Sequence, residues 1–227
     1  MASNRPGPKS AKPARVVETD ADVAAGVAAL RRKCPVFRRM HAVAGIPPLR
    51  RRPAGFEGLA RIIVGQQLSV ASAAAIWTRT ALVVQPFEPS VLLAMADAEL
   101  RGAGLSASKV RTLRAIAGAV AADGLDLDAL DPLDDAAVHA ALTGICGIGP
   151  WTADIFLMFC LGRADAFATG DLALQVAAQW ALDLETRPTP AELIAIAERW
   201  RPWRSVAARM LWSYYAVVKK TRSAVPV

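Results

Sequence analysis

The stretch Leu142-Thr-Gly-Ile-Cys-Gly-Ile-Gly-Pro-Trp-Thr-Ala153 decides how this chain is read. Two glycines, Gly147 and Gly149, flank one apolar residue, and an apolar helix over Asp154 to Leu161 follows directly. The pattern is helix, tight hairpin, helix. Glycine at both positions admits backbone conformations barred to other residues and lets a ligand come close. N–H groups at the start of the second helix suit an anion such as a phosphate. A carboxylate, Asp171, lies 20 residues beyond Trp151. The spacing couples an anion grip to an acid that can do chemistry.

Outward from the hairpin, every periodic segment reads as a helix. Asp134 caps the helix that enters the hairpin at Gly144. Upstream, Asp20 or Asp22 caps a first helix to about Lys33, and a short element spans Val36 to Val43. Phe56 to about Val84 has helical apolar spacing, interrupted by the polar patch Gly65-Gln66-Gln67-Leu68-Ser69. Pro89 to Ala103 reads as one helix ended by Gly104, and Ser106 caps the next, to about Ala122. Downstream, Asp171 to Leu182, Pro190 to Trp200 and Ser205 to Lys219 are helical. No strand run and no internal repeat is visible, so the expected fold is all-α.

The 227 residues suffice for one large domain or two small lobes. No apolar run nears the roughly 20 residues of a membrane span, so no membrane partner is expected. The net charge is +7, unevenly placed: residues 1–52 hold 12 Lys/Arg against 3 Asp/Glu. That basic section fits a polyanion, and a solubilising tail explains it equally well. Residues 1–15 are Pro-, Lys- and Arg-rich without apolar period, and are expected to form a disordered basic arm. Cys34, Cys146 and Cys160 have no metal-ligand spacing and their odd number opposes a disulfide framework. A reducing cytosol is expected, with no iron–sulfur cluster. His41 and His139 stand alone, and no zinc or nucleotide motif appears.

The hairpin and the later segment Asp165-Ala-Phe-Ala-Thr-Gly-Asp171-Leu-Ala-Leu174 together resemble the helix-hairpin-helix DNA glycosylases. Three more segments are similar to the 3-methyladenine DNA glycosylase II (AlkA-like) branch: Ile62-Ile-Val-Gly-Gln-Gln-Leu-Ser-Val70, Gly104-Leu-Ser-Ala-Ser-Lys-Val-Arg111 and Trp203-Arg-Ser-Val-Ala-Ala-Arg-Met-Leu-Trp212. The resemblance spans about residues 56–215. It implies a two-lobed fold with an active-site cleft between the lobes. Residues 56–165 would form the hairpin lobe, and 16–55 with 166–227 the terminal lobe.

The resemblance also assigns roles. Asp171 would be the catalytic carboxylate that stabilises positive charge on the sugar or positions the attacking water; the plain alternative is a helix N-cap. Trp151 stands where bifunctional relatives have the Schiff-base lysine, which implies a monofunctional enzyme leaving an abasic site. Its ring would line the base pocket, or else cap the hairpin within the core. Gln66, Gln67 and Leu68 occupy the family's wedge position, with Gln67 favoured over Leu68; a polar helix break is the alternative. Gly147 and Gly149 would hold phosphate, with a further hydroxyl contact from Thr152. Main-chain carbonyls of Thr143, Ile145 and Ile148 match the positions that hold Na⁺ or K⁺ in the family. Lys109 and Arg111 are candidates for phosphate contact or for a solvated helix face. Asp165 is read as structural, and Trp77, Trp180, Trp200, Trp203 and Trp212 as core packing.

The implied partner is damaged double-stranded DNA, the implied state a monomer, and the implied place a bacterial cytosol or nucleoid. Two rivals stand beside alkylated-base excision. One is the same fold with another lesion specificity, such as deaminated bases. The other is a non-catalytic hairpin module that binds DNA.

Overall fold

The computed structural model describes residues 15–122 and 124–223. Twelve α-helices carry nearly all of the regular structure among these residues: α1 (Asp20–Lys33), α2 (Pro35–Ala44), α3 (Gly55–Gly65), α4 (Val70–Val83), α5 (Pro89–Ala94), α6 (Asp97–Gly102), α7 (Ala107–Ala121), α8 (Asp135–Thr143), α9 (Pro150–Phe159), α10 (Leu172–Leu182), α11 (Pro190–Ala197) and α12 (Arg204–Ser223). The expected all-α class holds. The only β pairing among the described residues is an isolated antiparallel bridge, Val16 with Arg163.

Local chemistry explains most boundaries. Ser106 accepts the Lys109 N–H at 3.3 Å and Asp134 accepts that of Ala137 at 2.8 Å, as expected for N-caps. The first helix differs. Thr19 is its cap, and Asp22 is the reciprocal partner whose carboxylate accepts the Thr19 N–H at 2.9 Å. Pro35, Pro89, Pro150 and Pro190 each open a helix, where a missing N–H costs nothing. The second helix of the hairpin therefore starts at Pro150 rather than Asp154.

The single helix expected over 89–103 is two. Met95 is extended, and the Glu99 carboxylate accepts the Ala96 N–H at 2.8 Å to start α6. Arg114 of α7 donates to the carbonyls of Leu93 and Met95 at 3.0 and 2.5 Å, which satisfies the end of α5 from outside. The helix expected to reach Trp200 tightens to a 3-10 turn over Glu198–Trp200.

Helices α1, α2, α10, α11 and α12 pack mainly on one another, and α3 to α9 do likewise. Helix α9 is buried on nearly every side, Pro150, Trp151 and Asp154 excepted, which explains the apolar run that begins at Ile155. The chain then crosses from one group to the other through residues 160–171. That crossing is anchored by the N-terminal segment. Val17 donates to the Gly162 carbonyl at 2.7 Å, and Ala164 donates to that of Arg15 at 2.9 Å. Arg15 also stacks over Trp203, 4.6 Å from the ring centroid, so the expected loose arm does not extend through residue 15. The rest of that arm lies outside the described residues. Asp165 is held by Arg204 at 3.0 Å and by Arg201, in keeping with its structural reading.

Candidate active site

Asp171 sits at the end of the crossing segment as the N-cap of α10. Its Oδ1 accepts the Leu174 N–H at 3.0 Å and the Trp212 indole N–H at 3.0 Å. Its Oδ2 accepts the Trp151 indole N–H at 2.9 Å. The cap reading holds, and the cap bond occupies Oδ1 and not Oδ2. Oδ1 has both lone pairs engaged, whereas Oδ2 keeps one. The start of α10 adds a dipole end that attracts negative charge. The preceding loop is pinned as well: the buried Gln175 amide donates to the Thr169 carbonyl at 2.9 Å.

The two indoles come from opposite groups of helices, Trp151 from α9 and Trp212 from α12. Asp171 therefore lies where the groups meet. Trp212 was expected to be a core residue. A tryptophan N–H buried in protein needs an acceptor, but the sequence does not say which of six tryptophans finds a carboxylate. Trp200, with an unpartnered N–H and 2% exposure, is the core residue by contrast. Phe159 lies against Trp212, ring centroids 5.7 Å apart, and the Arg209 guanidinium stacks over the Phe159 ring, 4.6 Å from its centroid. Arg209 is buried without a carboxylate partner and donates to the carbonyls of Leu49, Ser205 and Met158. Burial pushes its pKa down to about 10.

The hairpin joins α8 to α9. Gly147 has φ +87°, and a Cβ there would lie 2.1 Å from the Thr112 hydroxyl oxygen of α7. Only glycine fits that position. Gly149 caps α9 with an ordinary φ of −99° and open space around it. Both glycines are exposed. Thr152 is not: it is 2% exposed, and its hydroxyl accepts the Gln66 side-chain amide at 2.9 Å. The expected phosphate contact from Thr152 is corrected to an internal tie. The carbonyl of Ile145 accepts the Ile148 N–H at 3.0 Å, and Thr143 bonds its own helix through its hydroxyl.

The turn between α3 and α4 presents the other expected residues. Gln66 is drawn inward by Thr152, so it is not a free wedge. Gln67 is exposed in the left-handed region, φ +57°, and Leu68 beside it is 38% exposed. Lys109 does not lie on a solvated face. Its ammonium donates to the carbonyls of Val64 and Gln66 at 2.8 and 3.0 Å. Arg111 is exposed. Among the described residues, no helix is long and apolar enough to cross a membrane.

Comparison with known proteins bears on the fold and the family. A DNA-3-methyladenine glycosidase structure from Bacillus halodurans is 32% identical, with a TM-score of 0.72, covering 91% of this chain and 94% of that one. The Schizosaccharomyces pombe 3-methyladenine DNA glycosylase Mag1, solved in complex with abasic DNA, superimposes with a TM-score of 0.76 at 26% identity, covering 83% and 95%. A Mycobacterium tuberculosis protein named a probable bifunctional transcriptional activator/DNA repair enzyme AlkA is 37% identical over 106 residues, 47% of this chain. The chain spans 20% of that relative's length. The family model for the HhH-GPD superfamily of base excision DNA repair proteins matches residues 60–202, more than half of the chain. With the hairpin, the capped aspartate and this match in place, the chain belongs to the HhH-GPD superfamily.

Proposed function

We propose that this protein is a monofunctional DNA glycosylase. It flips alkylated purines of the 3-methyladenine type out of duplex DNA and releases them by hydrolysis, leaving an abasic site. The observation that carries this reading is Asp171 held between two indoles, with Trp151 in place of a Schiff-base lysine.

The chemistry follows from the geometry. Cleavage of the N-glycosidic bond sends its electron pair to the base and builds oxocarbenium character at C1′. A fixed carboxylate in a drained cleft stabilises that charge without reorganising. The free lone pair of Asp171 Oδ2 faces this task while Oδ1 stays anchored. An N3-alkylated adenine is cationic, so it leaves as a neutral base and needs no strong general acid. The faces of Trp151 and Trp212 attract the cationic ring by roughly 0.5–2 kcal/mol each. Water then adds to C1′ and loses a proton, completing hydrolysis.

Gln67 and Leu68 fill the gap left by the flipped base. The cleft between the two groups of helices holds that base, with α3 to α9 as the hairpin lobe. Gly147 and Gly149 bring the hairpin backbone against a phosphate. The carbonyls of Thr143, Ile145 and Ile148 would supply the neutral, all-oxygen ligands that suit an alkali cation, which would screen the phosphate there. DNA grip is phosphate-led and largely indifferent to sequence, and the protein works as a monomer.

The test is base release from methylated duplex DNA, followed by chromatography. Release of 3-methyladenine, with strand breaks only after alkali or heat, supports the proposal. No release, or nicking without alkali or heat, overturns it.

A further inference from the structure

We infer that Lys109 is a positioning residue for the turn that carries Gln67 and Leu68, and that it is not a ligand of the DNA backbone. This rests on the reading of that turn as the wedge. The carbonyl accounting at the end of α3 carries the inference. Four successive carbonyls must be satisfied where the helix stops. Ile63 accepts the Gln66 N–H at 3.3 Å, and Gly65 accepts the Leu68 N–H at 3.4 Å. The alternate two, Val64 and Gln66, both accept from the Lys109 ammonium, at 2.8 and 3.0 Å. One side chain from α7, more than 40 residues away in sequence, thus closes the helix end that the turn itself leaves open. Its charge also lies at the negative end of the α3 dipole.

Three further contacts make the clamp a positioning device. Gln67, the next residue, sits at φ +57°, a conformation that a non-glycine side chain holds only when its neighbours impose it. The Gln66 side chain is tied to Thr152 at the start of α9. Thr112, one turn beyond Lys109 on α7, is the residue against which Gly147 of the hairpin is pressed. Helix α7 therefore closes the wedge turn with Lys109 and packs against the hairpin through Thr112. The ammonium is partly desolvated, which pushes its pKa down.

The test uses the full-length protein as Lys109→Met and Lys109→Gln, with Lys109→Arg as the conservative variant. Two readouts separate positioning from phosphate binding and from simple loss of fold. The first is the salt dependence of affinity for undamaged duplex. Loss of a phosphate ligand lowers the slope of log K against log salt by about 0.9; the clamp predicts an unchanged slope. The second is single-turnover excision of one lesion in a fully paired duplex and opposite a one-nucleotide gap, where flipping is easy. The clamp predicts a loss of about tenfold or more in the paired duplex, mostly recovered opposite the gap and partly restored by Lys109→Arg. A slope lowered by about one, or equal losses on both substrates, overturns the inference. If Lys109→Met fails to fold, Lys109→Gln assayed well below its own melting temperature gives the same two readouts. Wild-type excision of the lesion is measured in parallel, so failure of the glycosylase reading shows as no release by any form.

Discussion

The α3–α4 turn and the α8–α9 hairpin both join two helices, and both lean on α7, yet they are held by opposite means. The hairpin is set by its own residues. Gly147 takes a left-handed φ with no room for a Cβ, and Pro150 starts the next helix. The α3–α4 turn contains a left-handed residue that is not glycine, Gln67. Its shape comes from distant partners, Lys109 for the carbonyls and Thr152 for Gln66. A turn held from within is locally rigid and locally readable. A turn held from outside is a natural place for a residue that must move into a duplex, because removing one external contact loosens it without touching the helices.

The sharpest way to break this contrast is to alter the two hairpin glycines separately. Gly147→Ala puts a Cβ onto Thr112 at a left-handed φ and should cost about 2–3 kcal/mol. That corresponds to roughly 4–12 °C in Tm for a domain of this size, partly recovered by adding Thr112→Ala. Gly149→Ala has space and an ordinary φ, so its stability should stay within about 0.5 kcal/mol of wild type, with any loss confined to DNA affinity. Equal melting losses for both would mean that the hairpin is not pressed on α7 as described.

External bracing recurs at Asp171, where Trp212 reaches in from α12. Trp212→Phe and Trp151→Phe each keep a ring and delete one charged hydrogen bond, worth about 1.5–3 kcal/mol. Excision should slow by about 10- to 100-fold in each variant, with duplex affinity little changed. An unaltered rate for both would leave the carboxylate without need of its indoles.

Asp154, on the buried helix after the hairpin, gives a pH test. Burial raises its carboxyl to about 7, against the attraction of Arg204, and His139 of α8 lies 3.8 Å away. A carboxyl raised in the folded state binds its proton more tightly there than in the unfolded chain. Its ionisation therefore subtracts stability as pH rises from about 4 to about 7, with the full cost above 7. Asp154→Asn should raise Tm at pH 8 by at least about 2–4 °C, the equivalent of 1 kcal/mol, and the gain should shrink towards pH 4. A gain independent of pH would contradict this. The smallest effect is at the wedge. Gln67→Gly relieves the left-handed strain and should stabilise by up to about 1 kcal/mol while slowing excision from paired duplex. A destabilised Gln67→Gly would show that the turn is not held in that conformation by outside contacts.

The same contrast explains what was legible in the sequence. Features enforced by local backbone chemistry were readable: the hairpin glycines, the caps Ser106 and Asp134, and the helix break at 65–69. Asp171 was readable as a helix N-cap. Features enforced by side chains arriving from elsewhere were not. Arg114 splitting the 89–103 segment, Thr152 turning inward to Gln66, Trp212 reaching Asp171 and Lys109 closing α3 all depend on pairs far apart in the chain. Basic residues show the gap most plainly. Counted as charge they suggest polyanion contacts, yet Lys109, Arg114, Arg163 and Arg209 all donate to internal carbonyls, and Arg114 and Arg163 also pair with Asp97 and Asp135.

The central claim is that Asp171 stabilises the charge that develops on the sugar. Single-turnover release of 3-methyladenine from methylated duplex by Asp171→Asn tests it most directly, with duplex affinity measured on the same preparation. The account predicts a rate lower by about 100-fold or more, with affinity within a few-fold of wild type. Release at the wild-type rate would contradict it.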